Sequence, residues 1–210
     1  MSGDTVLSLI FVGVTVLLAL VVSFRVALTR ATSGKILAFI ALFILPAMAA
    51  TQGFNEHMEK AKTTAFCLSC HVMHDYGRSL YVNDPSFIPA VHFQNHLVPT
   101  DQACFTCHTT YTMFGDYQAK FRGLRHLYVQ YLGTVPKPEN IKLYTPFNNR
   151  ECLHCHLGMR KFEEAAPHHR TPGMMAQIKS NHLSCMSSNC HDTVHDLKDF
   201  NLVTFWKPTS

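Results

Sequence analysis

Two apolar runs open the chain, and nothing as continuous follows them. Thr5 to Phe24 is a 20-residue stretch without a charge, long enough to cross a bilayer as a helix. Arg25, Arg30 and Lys35 stand in the short segment behind it. Ile36 to Ala50 is a second run of 15 residues, extendable through Thr51, Gln52 and Gly53 to Phe54. Fifteen residues reach only about 22 Å at 1.5 Å each, so this helix spans a ~30 Å hydrocarbon core only if it runs on to Phe54. Pro46 is expected to kink it, which membrane helices tolerate. The pattern predicts a transmembrane helical hairpin over residues 1–54, with helices at about 5–28 and 35–54. Ala47-Met48-Ala49-Ala50 looks like a signal-peptidase site, but a leader would not need two apolar runs. The basic segment between the runs places the turn in the cytoplasm and both ends outside. No histidine precedes His57, so the hairpin holds no bis-histidine haem and is read as an anchor.

Residues 55–210 are rich in His, Asn, Thr and Pro and show little sustained periodicity. Asn83-Asp84-Pro85-Ser86 and Val98-Pro99-Thr100-Asp101 read as turns. The best helix here is Asp116 to Leu132, closed by Gly133, with Pro136 and Pro138 barring its continuation. Lys120, Leu124, Leu127, Tyr128 and Tyr131 project from one face, and Arg122, Arg125 and His126 from the opposite one. A lysine on such a face is most often a snorkelling side chain; it is also what a lipid-facing quinone pocket would need.

A segment so patterned buries a poor core alone. The cysteines change that picture. Cys67-x-x-Cys70-His71, Cys104-x-x-Cys107-His108 and Cys152-x-x-Cys155-His156 are c-type haem attachment signatures. The two thiols add to porphyrin vinyl groups at a fixed separation, and the adjacent histidine reaches the iron as proximal ligand. A wider version, Cys185-x-x-x-x-Cys190-His191, completes the set and uses the last of eight cysteines. Zinc ribbons also use paired CxxC, but zinc does not require a histidine after every second thiol. With 14 histidines in 210 residues, four such coincidences have a chance of about one in 50,000. Four haem c groups are therefore expected, their apolar faces forming the core that the chain wraps.

The formal charge of +4 is scattered, without a Lys/Arg run, and haem propionates would offset it. No nucleic-acid partner is implied. Beyond the proximal histidines ten remain: His57, His74, His92, His96, His126, His154, His168, His169, His182 and His195. Low-potential multihaem chains take a second histidine on most irons. Met73, two residues after His71, is either a packing residue or an iron ligand that would raise the potential of the first haem.

The chain resembles the NapC/NirT/NrfH family of membrane-anchored tetrahaem quinol dehydrogenases. Cys67-x-x-Cys70-His71-x-Met73 carries the likeness, with Pro89-Ala90-Val91-His92-Phe93-Gln94-Asn95 before the second motif. So do the helix bearing Lys120, the Leu132-Gly133-Thr134 end, Asn149-Arg150-Glu151-Cys152, and Cys190-His191-Asp192-Thr193-Val194-His195. The resemblance covers about Cys67 to Leu197. It implies a membrane-anchored multihaem cytochrome c, with a mostly α or irregular, haem-packed periplasmic domain over residues 55–210 on the bacterial inner membrane. It also implies oxidation of menaquinol or ubiquinol from the membrane quinone pool near haem 1. Electrons would go to a protein redox partner, a terminal reductase or another multihaem subunit. His92 and His195 are implied as distal ligands, with a third from His168 or His169; His182 is the fallback and His126 a further candidate. Lys120 is the implied quinol-site lysine. Arg125, His126 and Leu127 stand where an acidic residue is expected, leaving Asp116 and His126 as candidate proton acceptors. Two features depart from the family: the second membrane helix and the two extra residues in the fourth motif. The competing expectation is a passive tetrahaem wire inside a larger membrane complex, without a quinone site of its own. A multihaem reductase is disfavoured, because no CxxCK occurs.

Overall fold

The computed structural model describes residues 3–144, 146–191, 194–197 and 200–206. They form two compact units, Met1–Ala61 and Lys62–Ser210.

In the first unit, α1 (Gly3–Phe24) is followed by a 3-10 turn, Val26–Arg30, and then by α2 (Thr32–Phe39). A π turn, Ile40–Ile44, joins α2 to α3 (Leu45–Lys60). The second helix is thus continuous over 29 residues, Thr32–Lys60, and outruns the expected end at Phe54. Pro46 does not break it. The Leu45 N–H reaches back to the Ile40 carbonyl, and this wider turn absorbs the donor that proline lacks. Gln52 Nε2 donates to Ser8 Oγ at 3.3 Å, so the start of α1 meets the middle of α3 and the pair is a hairpin. Val22, Thr15 and Ala41 face inward, while Leu7, Leu17, Phe24, Phe39 and Phe43 are exposed. Helices apolar all round, with their large side chains turned outward, suit a lipid solvent. Both are long and apolar enough to cross a membrane.

The second unit strings short helices between turns: α4 (Thr64–Cys67), α5 (His74–Ser79), α6 (Ile88–Gln94), α7 (Ala103–His108), α8 (Gly115–Leu132), α9 (Arg150–His156), α10 (Arg160–Glu163) and α11 (Met174–Lys179). Among the described residues the only extended pairing is one antiparallel bridge between Val82 and Phe205. It brings the C-terminal segment back to a small core of Val82, Phe87, Ala90 and Phe200. The expected helix at 116–132 is α8, starting one residue earlier. Gly115 is required there, since any side chain would overlap the Thr110 carbonyl. Its apolar stripe is not buried: Phe121, Leu124, Leu127, Tyr128, Tyr131 and Leu132 are all exposed.

Candidate haem-ligand pairs and quinol site

The motifs are built on short helices and turns. Cys104, Cys107 and His108 lie on α7, and Cys152, Cys155 and His156 on α9. A spacing of three places both thiols on one helix face, and the histidine follows on the next residue. The first motif starts at the end of α4 and runs into the 3-10 turn His71–Met73. In the fourth, Asn189 adopts the left-handed region (φ 63°) and the His191 N–H bonds the Cys185 carbonyl at 3.0 Å. That turn takes up the two extra residues. In every motif the first cysteine is half-buried and the second exposed.

Consecutive motifs are fastened to each other. Thr64 Oγ1 on α4 donates to Thr100 O (2.9 Å) and accepts from Ala103 N (2.9 Å) at the start of α7. Glu151 on α9 accepts the Tyr111 N–H behind the second motif at 3.0 Å. Asn149, 1% exposed, is the strongest fastener. Its Nδ2 donates to Ile178 O and Leu183 O, and its Oδ1 accepts the Cys185 N–H, at 2.7–2.8 Å. The first thiols meet as a result. Cys104 hydrogen-bonds Cys67 and holds its thiol down to about 7, while Cys104 itself is pushed up. Cys152 and Cys185 pair in the same way, with Cys185 lowered and Cys152 raised.

Three histidine pairs face each other across these motifs. His108 and His195 have ring centroids 6.3 Å apart at 21°, His92 and His156 5.9 Å at 78°, and His168 and His191 6.2 Å at 65°. Two imidazoles on opposite sides of one metal, each about 2 Å away through nitrogen, have centroids about 6 Å apart. The three pairs therefore fit residues that would each hold one iron between two imidazoles. The protonation fits as well. His92 Nδ1 donates to Ile88 O (2.9 Å) and His168 Nδ1 to Phe162 O (2.9 Å), and His195 Nδ1 lies 2.8 Å from Ser79 Oγ. A ring that carries its proton on Nδ1 leaves the Nε2 lone pair for a metal. Burial holds the His195 pKa down to about 4, which keeps that ring neutral.

The alternatives are placed elsewhere. His169 spends Nε2 on Glu163 O at 2.7 Å, and exposed His182 pairs locally with Ser180 Oγ. His126 packs against Tyr144, with centroids 5.0 Å apart. Among the described residues His71 has no ring partner, and Met73 lies half-buried in the same turn. Asp192 and Thr193, between His191 and His195, are outside the described residues.

Beside the first motif, the Lys120 ammonium sits 4.6 Å from the Phe105 ring centroid and 5.7 Å from that of Phe66. Burial lowers its pKa, with Cys67 and Asp116 pulling the other way. Asp116, one turn earlier on α8, takes a 2.7 Å ion pair from Lys62 and the Thr109 hydroxyl at 3.3 Å. Sequence reading missed Lys62. Its one available signal is position, five residues before Cys67, and nothing in that position forecasts a bond to Asp116. Leu124 and Tyr131, which share the helix face of Lys120, are exposed, and the rings against its ammonium are the two phenylalanines of α4 and α7.

Comparison with known proteins bears on the family of the chain. The chain is 27% identical over 116 residues to the cytochrome c-type protein NapC of Escherichia coli K12, covering 50% of this chain and 54% of that protein. It is 25% identical over 116 residues to NapC of Haemophilus influenzae, with the same coverage. Against the denitrification system component NirT of Stutzerimonas stutzeri it is 23% identical over 151 residues, 66% of this chain and 70% of the other. The chain thus spans about half the length of the NapC relatives it matches. No solved structure matches it. Residues 29–200, which take in all eight cysteines and every facing histidine, match the N-terminal region of one family, and the chain belongs to that family, the NapC/NirT cytochrome c family.

Proposed function

We propose that this chain is an electron-transfer subunit that oxidises membrane quinol beside its first haem and passes the electrons through four c-type haems to a protein redox partner. Haem c supplies a one-electron iron couple at each motif when bound. Cys67/Cys70, Cys104/Cys107, Cys152/Cys155 and Cys185/Cys190 hold the groups through thioethers. His71, His108, His156 and His191 are the proximal ligands. His195, His92 and His168 would supply the second ligand to three of the irons, paired with His108, His156 and His191 in that order, and Met73 is the candidate for the first. His169, His182 and His126 drop out as distal ligands on the contacts described above.

The convergence of Lys120, Asp116, Phe66 and Phe105 beside Cys67 carries the quinol reading. The two rings offer an apolar wall to a quinone head group, and Lys120 is placed to donate a hydrogen bond to one of its oxygens. Asp116 is the nearest candidate to take a proton, and the Lys62 ammonium holds that carboxylate in place. His126, against Tyr144, is the poorer acceptor. Residues 1–54 are the anchor, within the unit that closes at Ala61, and the haem domain lies on the periplasmic side. That placement rests on Arg25, Arg30 and Lys35 between the spans.

The exposed stripe of α8 supports a second reading, a wire whose apolar surfaces dock on the helices of a larger complex. Quinol-driven haem reduction in Lys120→Ala and Met73→Ala variants that retain all four haems separates the two. Slower reduction in both supports quinol oxidation. Wild-type rates in both put the wire in its place.

A further inference from the structure

The three facing histidines outside the attachment motifs are held differently. His92 and His168 give their Nδ1 protons to main-chain carbonyls, Ile88 O and Phe162 O, which no substitution removes. His195 gives its own to a side chain. Ser79 Oγ is 2.8 Å from His195 Nδ1 and donates to Tyr76 O, one turn back on α5, at 2.6 Å. A serine hydroxyl has one proton. With that proton committed to the Tyr76 carbonyl, the oxygen accepts from His195, and the ring must carry hydrogen on Nδ1.

The contact is built rather than incidental. Ser79 is 0% exposed, at the end of α5. The Tyr76 ring packs edge-on against His195, with centroids 5.4 Å apart. His195 sits at φ 49°, a left-handed backbone uncommon outside glycine, and such strain persists where the surroundings over-determine it. One residue reached from far along the chain is thus fixed in tautomer and ring plane by a single turn of α5.

We propose that Ser79 is a positioning residue for His195, whose hydroxyl tunes the reduction potential of one of the four irons. The proposal rests on His195 being the ligand opposite His108. A ligand imidazole that shares its second proton with an acceptor is a stronger donor through Nε2 and favours the oxidised metal. Removing the acceptor therefore raises the potential of that iron and leaves the other three unmoved.

The experiment is a potentiometric titration of the full-length holo-protein, followed optically and by electron paramagnetic resonance. Ser79→Ala is expected to raise one midpoint potential of four, with all haems attached. Ser79→Thr, which restores the hydroxyl, should return it to the wild-type value. His195→Ala should convert one low-spin iron to high-spin, and if it converts none, the ligand reading itself fails. If His195→Ala behaves as expected but Ser79→Ala moves no potential, or Ser79→Thr shifts it as far as alanine does, the tuning role is overturned. Should Ser79→Ala yield no holo-protein, the unmutated protein still decides. A slowly exchanging Nδ1 proton coupled to that iron is expected, and its absence overturns the proposal.

Discussion

A histidine contributes two facts to an iron site, the plane of its ring and the nitrogen that holds its proton. The three facing pairs differ in the first. His108 and His195 lie 21° from parallel, whereas His92/His156 and His168/His191 are steeply crossed at 78° and 65°. Crossed ligand planes bring two iron d orbitals close to degeneracy and raise the largest g value. Electron paramagnetic resonance of the oxidised holo-protein should show, apart from the signal of the first haem, one rhombic low-spin species and two with large, highly anisotropic g values. Three rhombic signals would show that the ring planes differ from these. Lys120 makes a second prediction, one of sign. Burial lowers its folded pKa below the unfolded value near 10.5, so the unfolded chain binds more protons between the two. Stability then rises with pH through that window, and at neutral pH the ammonium is a cost to the fold. Lys120→Met should therefore be more stable than wild type at pH 7, with the gain vanishing as pH approaches 10.5. Thermal unfolding across that range checks it.

The short helices owe their places less to their own periodicity than to the bonds between them. Thr64, Glu151 and Asn149 each belong to the neighbourhood of one haem motif and bond the backbone beside an adjacent one. Asn149→Ala removes three hydrogen bonds and takes from the Cys185 N–H its acceptor, while Ile178 O keeps the Asn181 N–H, a loss of about 2–4 kcal/mol. The fourth motif should suffer most, because Cys185 is the residue that Asn149 positions. Thermal unfolding with intact-mass measurement tests this: an earlier transition and a fraction lacking one haem are expected, and an unchanged haem count with unchanged stability would show the clamp to be dispensable. α8 is the contrasting case. Its helical length was legible in the spacing of its polar and apolar residues, but its orientation was not. The stripe is exposed from Leu124 onward, and only the first turns of the same face, at Asp116 and Lys120, meet Lys62, Phe66 and Phe105. Periodicity tells which residues share a face, and an apolar face turned to lipid or to a partner looks the same as one turned to a core.

For the whole chain two predictions remain. Intact mass should equal apoprotein plus four haems, and a three-haem mass would show that Cys185 and Cys190 are not an attachment pair. Tag accessibility from the periplasmic side should reach Ser2, which lies outside the described residues, and a cytoplasmic Ser2 would sink the hairpin's orientation. The second helix is continuous over Thr32–Lys60, about 43 Å at 1.5 Å per residue, so it is longer than a ~30 Å core.

Some of this protein is written in local chemistry and could be read without any coordinates. The haem motifs are legible because a covalent group of fixed size dictates the distance between two thiols and the histidine beside them. The membrane spans are legible because a bilayer of fixed thickness dictates their length. The facing histidines were not legible in that way. Ten spare histidines offered themselves, and His168 was not separable from its neighbour His169, since a ligand approaching from a distant segment leaves no spacing to count. Folding separates them: His168 turns Nδ1 to the Phe162 carbonyl and its ring to His191, while His169 spends Nε2 on Glu163 O. Lys62 stayed hidden for the same reason, because its partner Asp116 lies on a helix far along the chain and only packing brings the two charges to 2.7 Å.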